Sequence, residues 1–394
     1  MSRFDQLHAH VAAILPQIIA FRHDLHAHPE LSGSEENTAR KVSEALTQAG
    51  IAHETRVGGM NGIVATIQGT QSGSGAGKTL ALRGDMDALP ILEENDVPYK
   101  SKNHGVMHAC GHDGHTANLL GTALVLNALK DSFSGTVKLF FQPAEETVSG
   151  AETMVRAGCM EGVDAVLMLH GWPDLPPGQL GLRVGPAMAS SDSWRLTIHG
   201  QGGHAAYPHK TVDPVYIGAQ LVTALQSLVS RELNPTEPVV LTVATFHAGT
   251  ARNIIAEKAE LAGTVRTLNK AIRDSMPERM TRIIKGICDT FRATYDFTFT
   301  PGTPPVVNDA SVVALVREVG EELFGAENIV TLSEPTMGAE DFAFYLEHAP
   351  GAMIRLGTGC PYLLHTPKYD FGDAPLETGV LLMVETARQF MHKE

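Results

Sequence analysis

The sequence predicts an α/β fold, a largely parallel sheet flanked by helices, interrupted by a ferredoxin-like α+β insertion. Toward both ends of the chain, short apolar runs alternate with helix-period segments, as strands buried on both faces do. Near residue 188 the texture changes to polar–apolar alternation in a β-α-β-β-α-β order, after which the α/β pattern resumes. The 394 residues suffice for two or three domains at roughly 100–200 residues each. The expected boundaries are 1–187 with 301–394 for the α/β domain and 188–300 for the insertion.

Phe4, Leu7, Val11, Ile14, Leu15 and Ile18 recur at helical spacing, with Pro16 a kink or restart. Ser32 and Glu35 have capping-box spacing before a helix that Gly50 ends. Residues 62–67 and 80–82 read as strands, 115–129 as a helix, 137–141 as a strand, 150–157 as a helix and 165–169 as a strand. In the insertion, Trp194, Leu196 and Ile198 alternate along a strand at 193–199. A helix at 213–233, strands at 239–246 and 259–268, a helix at 271–294 and a strand at 296–300 complete it. Helix 311–324, strand 329–332, helix 340–347, strand 353–356 and a helix from about 376 restore the first pattern. The low-complexity patch at 69–78 falls one residue short of P-loop spacing and precedes a strand, so it reads as a flexible turn.

Charge narrows the function. Lys+Arg number 30 and Asp+Glu 44, a net charge of −14, which argues against a nucleic-acid or anionic-membrane binder. The 4 cysteines are too few and scattered for a disulfide framework, which indicates a reducing compartment. No apolar run approaches the roughly 20 residues of a membrane span, and no signal-peptide pattern is visible. The expectation is a cytoplasmic protein. The 18 histidines are the odd number, so their placement matters.

The densest cluster is Met107-His-Ala-Cys110-Gly-His112-Asp-Gly-His115. A thiolate and an imidazole two residues apart, beside glycines that let the backbone bend, can point at one ion. His112 and His115 at i, i+3 can share a helix face. Three strands run into further donors: Arg83-Gly-Asp85-Met-Asp87, Gln142-Pro-Ala-Glu145-Glu146 and His170-Gly-Trp-Pro173. Open α/β sheets place ligands beyond the carboxyl ends of their strands. Singly, each has a plain reading as a solvated loop or a capping residue; as a set they indicate a metal site. Adjacent glutamates suit hydrolysis, because one can bind an ion while the other stays free as general base. Cys, His and Glu together favour Zn, Mn, Co or Ni over Mg or Ca.

With Met337-Gly-Ala-Glu-Asp-Phe-Ala-Phe-Tyr345 added to these motifs, the sequence resembles the M20 metallopeptidase and amidohydrolase family. The branch is that of hippurate hydrolases, auxin-conjugate hydrolases and N-acyl-L-amino acid deacylases. The resemblance spans Arg22-His-Asp-Leu-His-Ala-His-Pro29 to His365-Thr-Pro367. It implies two divalent transition-metal ions held by Cys110, His112, Glu146, His170 and His365, with Cys110 between them and Glu145 as general base. Better-known branches carry a ligand His where this chain has Gly84-Asp85-Met86-Asp87, and His112 is the expected replacement. Asp87 matches the residue that orients a ligand; the role of Asp85 is left open, and His115 is a possible neighbour of the site. Gly202-Gly203-His204 resembles the segment whose His reaches a neighbouring subunit's active site and polarises the scissile carbonyl. Asn253 and Arg266 match positions that bind the substrate carboxylate, a task suited to Arg's planar fork.

The reading is therefore a metal-dependent amidohydrolase that cleaves N-acyl-L-amino acids to a carboxylate and a free amino acid through a metal-activated water. Its insertion is the expected lid and dimerisation domain of a homodimer or higher homo-oligomer. The partner is a small N-acyl-amino acid, with neither nucleic acid nor membrane. The alternatives are a dinuclear aminopeptidase or dipeptidase on the same scaffold and a non-catalytic metal- or ligand-binding protein.

Overall fold

The computed structural model describes residues 3–73, 76–147 and 149–392, so residues 74 and 75 of the low-complexity patch lie outside the described residues. The chain divides into two compact units. The larger combines Met1–Gly185, Val307–Glu334 and Asp341–Glu394; the smaller combines Pro186–Val306 and Pro335–Glu340.

An eight-stranded sheet organises the larger unit. Its order is Ala52–Val57, Gly62–Gln68, Thr136–Gln142, Thr79–Asp85, Ala165–Trp172, Gly351–Gly357, Leu180–Leu182, Ile329–Thr331. The four central strands, from Thr136–Gln142 to Gly351–Gly357, pair in parallel. Ala52–Val57 and Gly62–Gln68 add antiparallel strands at one side, and Leu180–Leu182 runs antiparallel to Gly351–Gly357. The sheet is thus mixed around a parallel centre. Leu80, Leu82, Leu167, Leu169, Ile354 and Leu356 alternate onto the face that forms the core with helices Arg3–Ala27, His112–Ala128, Ala310–Phe324 and Ala374–His392. The parallel strands consequently bring their carboxyl ends to one edge, where their loops carry the polar motifs.

The smaller unit has an antiparallel four-stranded sheet in the order Val239–Ala248, Lys258–Thr267, Ser191–His199, Thr294–Thr303. Helices Pro214–Ser227 and Lys270–Thr290 give the β-α-β-β-α-β sequence. Trp194, Leu196 and Ile198 meet Leu221, Leu225, Met280 and Ile284 in its core.

Several local expectations change. The first helix runs from Arg3 to Ala27 through Pro16. Pro16 is exposed, on the side where water can satisfy the carbonyl that its missing N–H leaves open. The Ser32–Glu35 capping box does not form: Ser32 Oγ donates to Asp87 at 2.6 Å, and Glu35 accepts the N–H groups of Gly33 and Ala144. Glu30 instead accepts the N–H groups of Asn37 and Thr38 at the start of helix Glu36–Gln48. The expected helix at 340–347 is one turn, Ala343–Leu346. Strands Ala52–Val57 and Leu180–Leu182 are additional; the first is too exposed and the second too short to show a clear apolar period.

Candidate metal centre

Backbone conformation delivers the donors. Gly111, at φ 91°, makes a left-handed turn into helix His112–Ala128. Ala144, at φ 53°, follows strand Thr136–Gln142, and its N–H donates to the buried Glu35 carboxylate at 2.9 Å. That turn presents Glu145 and Glu146. His365, also left-handed at φ 61°, is pinned by its N–H to the Ala109 carbonyl at 2.8 Å. Two non-glycine residues in this region at one site mark backbone strain of the kind that clusters at functional sites.

The donor atoms converge on Cys110. Its Sγ lies 3.6 Å from His170 Nε2 and 3.3 Å from His365 Nε2. Cys110, His112 and His170 offer atoms within 4.8 Å of one another, as do Cys110, Glu146 and His365. The two triads share one sulfur, and a third group joins His112 to Glu145 and Glu146. These donor sets have the size and chemistry of sites for borderline divalent cations. His112 Nε2 and Glu146 Oε1 are buried without a hydrogen-bond partner. Such burial is costly within the protein alone and is offset by a cation between them, so the residues fit the implied ions.

Electrostatics agree with that fit. Burial opposes the charging of His112, but Asp85, Asp87 and Glu146 overcome it and raise its pKa to about 10. The cluster therefore holds positive charge strongly. Burial pushes His170 well below its ordinary range, leaving it neutral. Its Nδ1–H donates to the Gly171 carbonyl at 2.9 Å, while His112 Nδ1–H donates to Asp87 Oδ1 at 3.2 Å. In both rings Nε2 is the nitrogen left to the cluster. Asp87 also accepts the Glu146 N–H at 3.0 Å, so one buried carboxylate orients two members.

Asp85 and His115 belong here as well; the strand-end position of Asp85 and the i, i+3 spacing of His112 and His115 are the signals of it in the sequence. His115 Nδ1–H donates to Asp85 at 2.7 Å, and its Nε2 accepts the Gly171 N–H at 2.8 Å. Asp85, His112 and His115 are close enough to hold an ion, but these two bonds leave His115 no lone pair to give. Burial opposes ionisation of Asp85, yet His112, Arg83 and His115 hold its carboxyl well below the usual range. Arg83 joins Asp85 to Asp341, both within 2.8 Å. Beside helix His112–Ala128, His26 bonds Asp113 at 2.9 Å and Glu93 at 3.1 Å, and Arg22 reaches Asp113, Asp370 and Asp373. Phe342 and Tyr345 are fully buried, with the Tyr345 hydroxyl donating to Gln142, so they are core residues.

Cys110, His112, Glu145, Glu146, His170, His365 and Asp87 therefore meet within the larger unit. His204, Asn253 and Arg266 belong to the smaller one. There His204 is exposed and its Nδ1 accepts the Ala206 N–H at 3.0 Å, while the Ala205 N–H donates to the Asn253 carbonyl. Arg266, on strand Lys258–Thr267, has a buried Nη1 without a hydrogen-bond partner.

The model of peptidase family M20/M25/M40 matches residues 81–389. The chain belongs to this family. This M20-family hydrolase is 48% identical over 299 residues to an N-acyl-L-amino acid amidohydrolase of Geobacillus stearothermophilus, covering 76% of this chain and 80% of that one. It is 39% identical to thermostable carboxypeptidase 1 of Saccharolobus solfataricus over the full length of both. The crystal structure of a dinuclear metal-binding M20 peptidase from Bacillus subtilis superposes with a TM-score of 0.85 at 35% identity, covering 96% of this chain and 99% of that one. The amidohydrolase relative supports hydrolysis of an amide bond. Among the described residues, no helix of this M20 protein is long and apolar enough to cross a membrane.

Proposed function

We propose that this M20 hydrolase cleaves N-acyl-L-amino acids, using two divalent ions held by Cys110, His112, His170, Glu146 and His365. The observation that carries this reading is the pair of donor triads sharing Cys110, with a second carboxylate, Glu145, beside Glu146. Zn, Mn, Co or Ni would suit these donors; such ions acidify water and polarise an amide carbonyl.

The protein supplies the proton path and the positioning. Glu145 takes a proton from the attacking water and delivers it to the departing amide nitrogen, which leaves as the amino acid's amine. Asp87 keeps His112 and Glu146 in register for the ions. In the smaller unit, read as a lid and dimerisation domain, Asn253 and Arg266 receive the substrate α-carboxylate. His204 donates to the developing oxyanion from a neighbouring subunit of a homodimer. The orphaned Arg266 Nη1 supports that assignment, since a carboxylate would give it an acceptor.

The carboxypeptidase relative favours a second reading, release of an amino acid from a peptide. A panel of acetyl-, benzoyl- and indoleacetyl-amino acids against unblocked dipeptides, with Mn, Zn, Co or Ni added, separates the two. The proposal expects turnover of the blocked substrates and its loss after verified metal removal. Hydrolysis that survives metal removal, or that is confined to free-amine peptides, overturns it.

A further inference from the structure

Among the described residues, the Arg355 side chain beside this centre makes no hydrogen bond or ion pair. Arg355 lies on strand Gly351–Gly357 directly in register with His170 on strand Ala165–Trp172. Paired residues of parallel strands project from the same face, so the two side chains are neighbours near the carboxyl ends of their strands. On Arg355's other side the paired residue is Gly181, where an added Cβ would come within 3.2 Å of the Arg355 Cβ. The missing side chain gives the arginine room.

The guanidinium stacks on Trp172, two residues beyond His170, with its carbon 3.8 Å from the ring centroid. Stacking holds the fork flat and occupies its face while the N–H edge stays available. Among the described residues, that edge makes no hydrogen bond and no ion pair. Burial lowers the Arg355 pKa to about 10, with the exposed Asp174 opposing and Arg183 adding, so it is cationic at neutral pH. Arg183 itself is engaged with the carbonyls of Leu332 and Ser333. A half-buried cation next to a site for two dications is unfavourable unless an anion joins it.

We propose that Arg355, on its Trp172 platform, is an anion subsite that selects substrates carrying a second carboxylate in addition to the α-carboxylate. This rests on the N-acyl-amino acid reading and names a substrate class within it. The extra carboxylate can sit on the acyl group, as in a dicarboxylic half-amide, or on the amino-acid side chain, and the two sources are separable by assay.

The metal-loaded enzyme is assayed with N-succinyl-L-alanine against its succinamoyl isostere, and with N-acetyl-L-glutamate against N-acetyl-L-glutamine. In one of the two pairs, kcat/KM for the anion exceeds that for its neutral isostere by roughly 10- to 100-fold, the scale of a charge-assisted bidentate contact. The pair that responds identifies the source. Arg355→Gln collapses that ratio toward one, and Arg355→Lys, which keeps the charge but loses the planar fork, leaves an intermediate ratio. Each ratio is internal to one preparation, so loss of folded protein does not mimic the result. Neutral substrates hydrolysed with no anion preference in either pair, or a ratio unchanged in Arg355→Gln, overturn the subsite alone. No hydrolysis of any of the four compounds by an enzyme that does cleave benzoyl- or indoleacetyl-amino acids overturns the subsite alone. No hydrolysis of those blocked substrates either overturns the N-acyl-amino acid reading and the subsite with it.

Discussion

At the scale of single residues, the site divides into groups that face the ions and groups that hold them there. Glu145 is the test of the chemistry. Glu145→Gln keeps the shape of the turn at Ala144, so metal content by elemental analysis stays at the wild-type level while kcat falls by roughly 10²- to 10⁴-fold. A rate near wild type removes Glu145 as the base. His115 tests the support. Its two bonds fasten Asp85 and the Gly171 amide, one on each side of the Cys110–His112–His170 triad. Titrating Co(II) into metal-stripped His115→Gln is expected to show one site weakened by roughly 10- to 100-fold, with the other little changed. His115→Asn, which can still donate to Asp85, is expected to recover part of that loss. Equal weakening of both sites would make the residue a general fold element. The candidate donors are legible as a set, from the motif around Cys110 together with the strand-end Glu145-Glu146 and His170. His365 comes only from the family resemblance, because a loop histidine carries no spacing signal. The commitment of both His115 nitrogens is not legible, because Asp85 and Gly171 are distant in sequence.

At the scale of elements, the site depends on close backbone approach as much as on side chains. Gly114 lies in the first turn of helix His112–Ala128, and an added Cβ would sit 2.3 Å from the Phe371 ring. Gly171, at the end of its strand, faces the same ring, with a Cβ 2.8 Å away. Phe371 therefore wedges helix start and strand end at a fixed distance. Gly114→Ala is expected to destabilise the protein by about 1–3 kcal/mol through overpacking. Gly286, exposed on helix Lys270–Thr290 with nothing within 4 Å of an added Cβ, should behave oppositely. Gly286→Ala should stabilise by about 0.5–1 kcal/mol, from helix propensity alone. Chemical denaturation of the two variants beside wild type checks the contrast. Periodicity located these helices to within a few residues. It did not reveal that Ser32 leaves its expected cap for Asp87, since the competing acceptor lies 55 residues away.

At the scale of the whole molecule, Arg22 and His26 tie the first helix to the start of helix His112–Ala128, and Arg22 also reaches the segment around 370–373. Burial opposes charging of His26, but Asp113 and Glu93 raise its pKa from 6.5 to about 9. A pKa raised by folding contributes stability that is complete below 6.5 and is lost as pH rises through about 9. Thermal melting of the metal-stripped protein should therefore fall between those values, and His26→Gln should flatten the slope. An unchanged slope in that variant would assign the pH dependence elsewhere. The sequence by itself determined the α/β class, the β-α-β-β-α-β insertion and the donors at the strand ends. Those follow from local periodicity and from which side chains can bind a metal. The family resemblance already implied a Cys110 placed between two ions and an Asp87 that orients a ligand. Only the tertiary structure decided that Asp87 bonds both His112 and Glu146, that His115 fastens Asp85 to the Gly171 amide, and that Arg355 stands beside His170 with no hydrogen bond among the described residues. Each of these depends on strand register and long-range packing, which bring together residues whose separation in sequence carries no periodic signal.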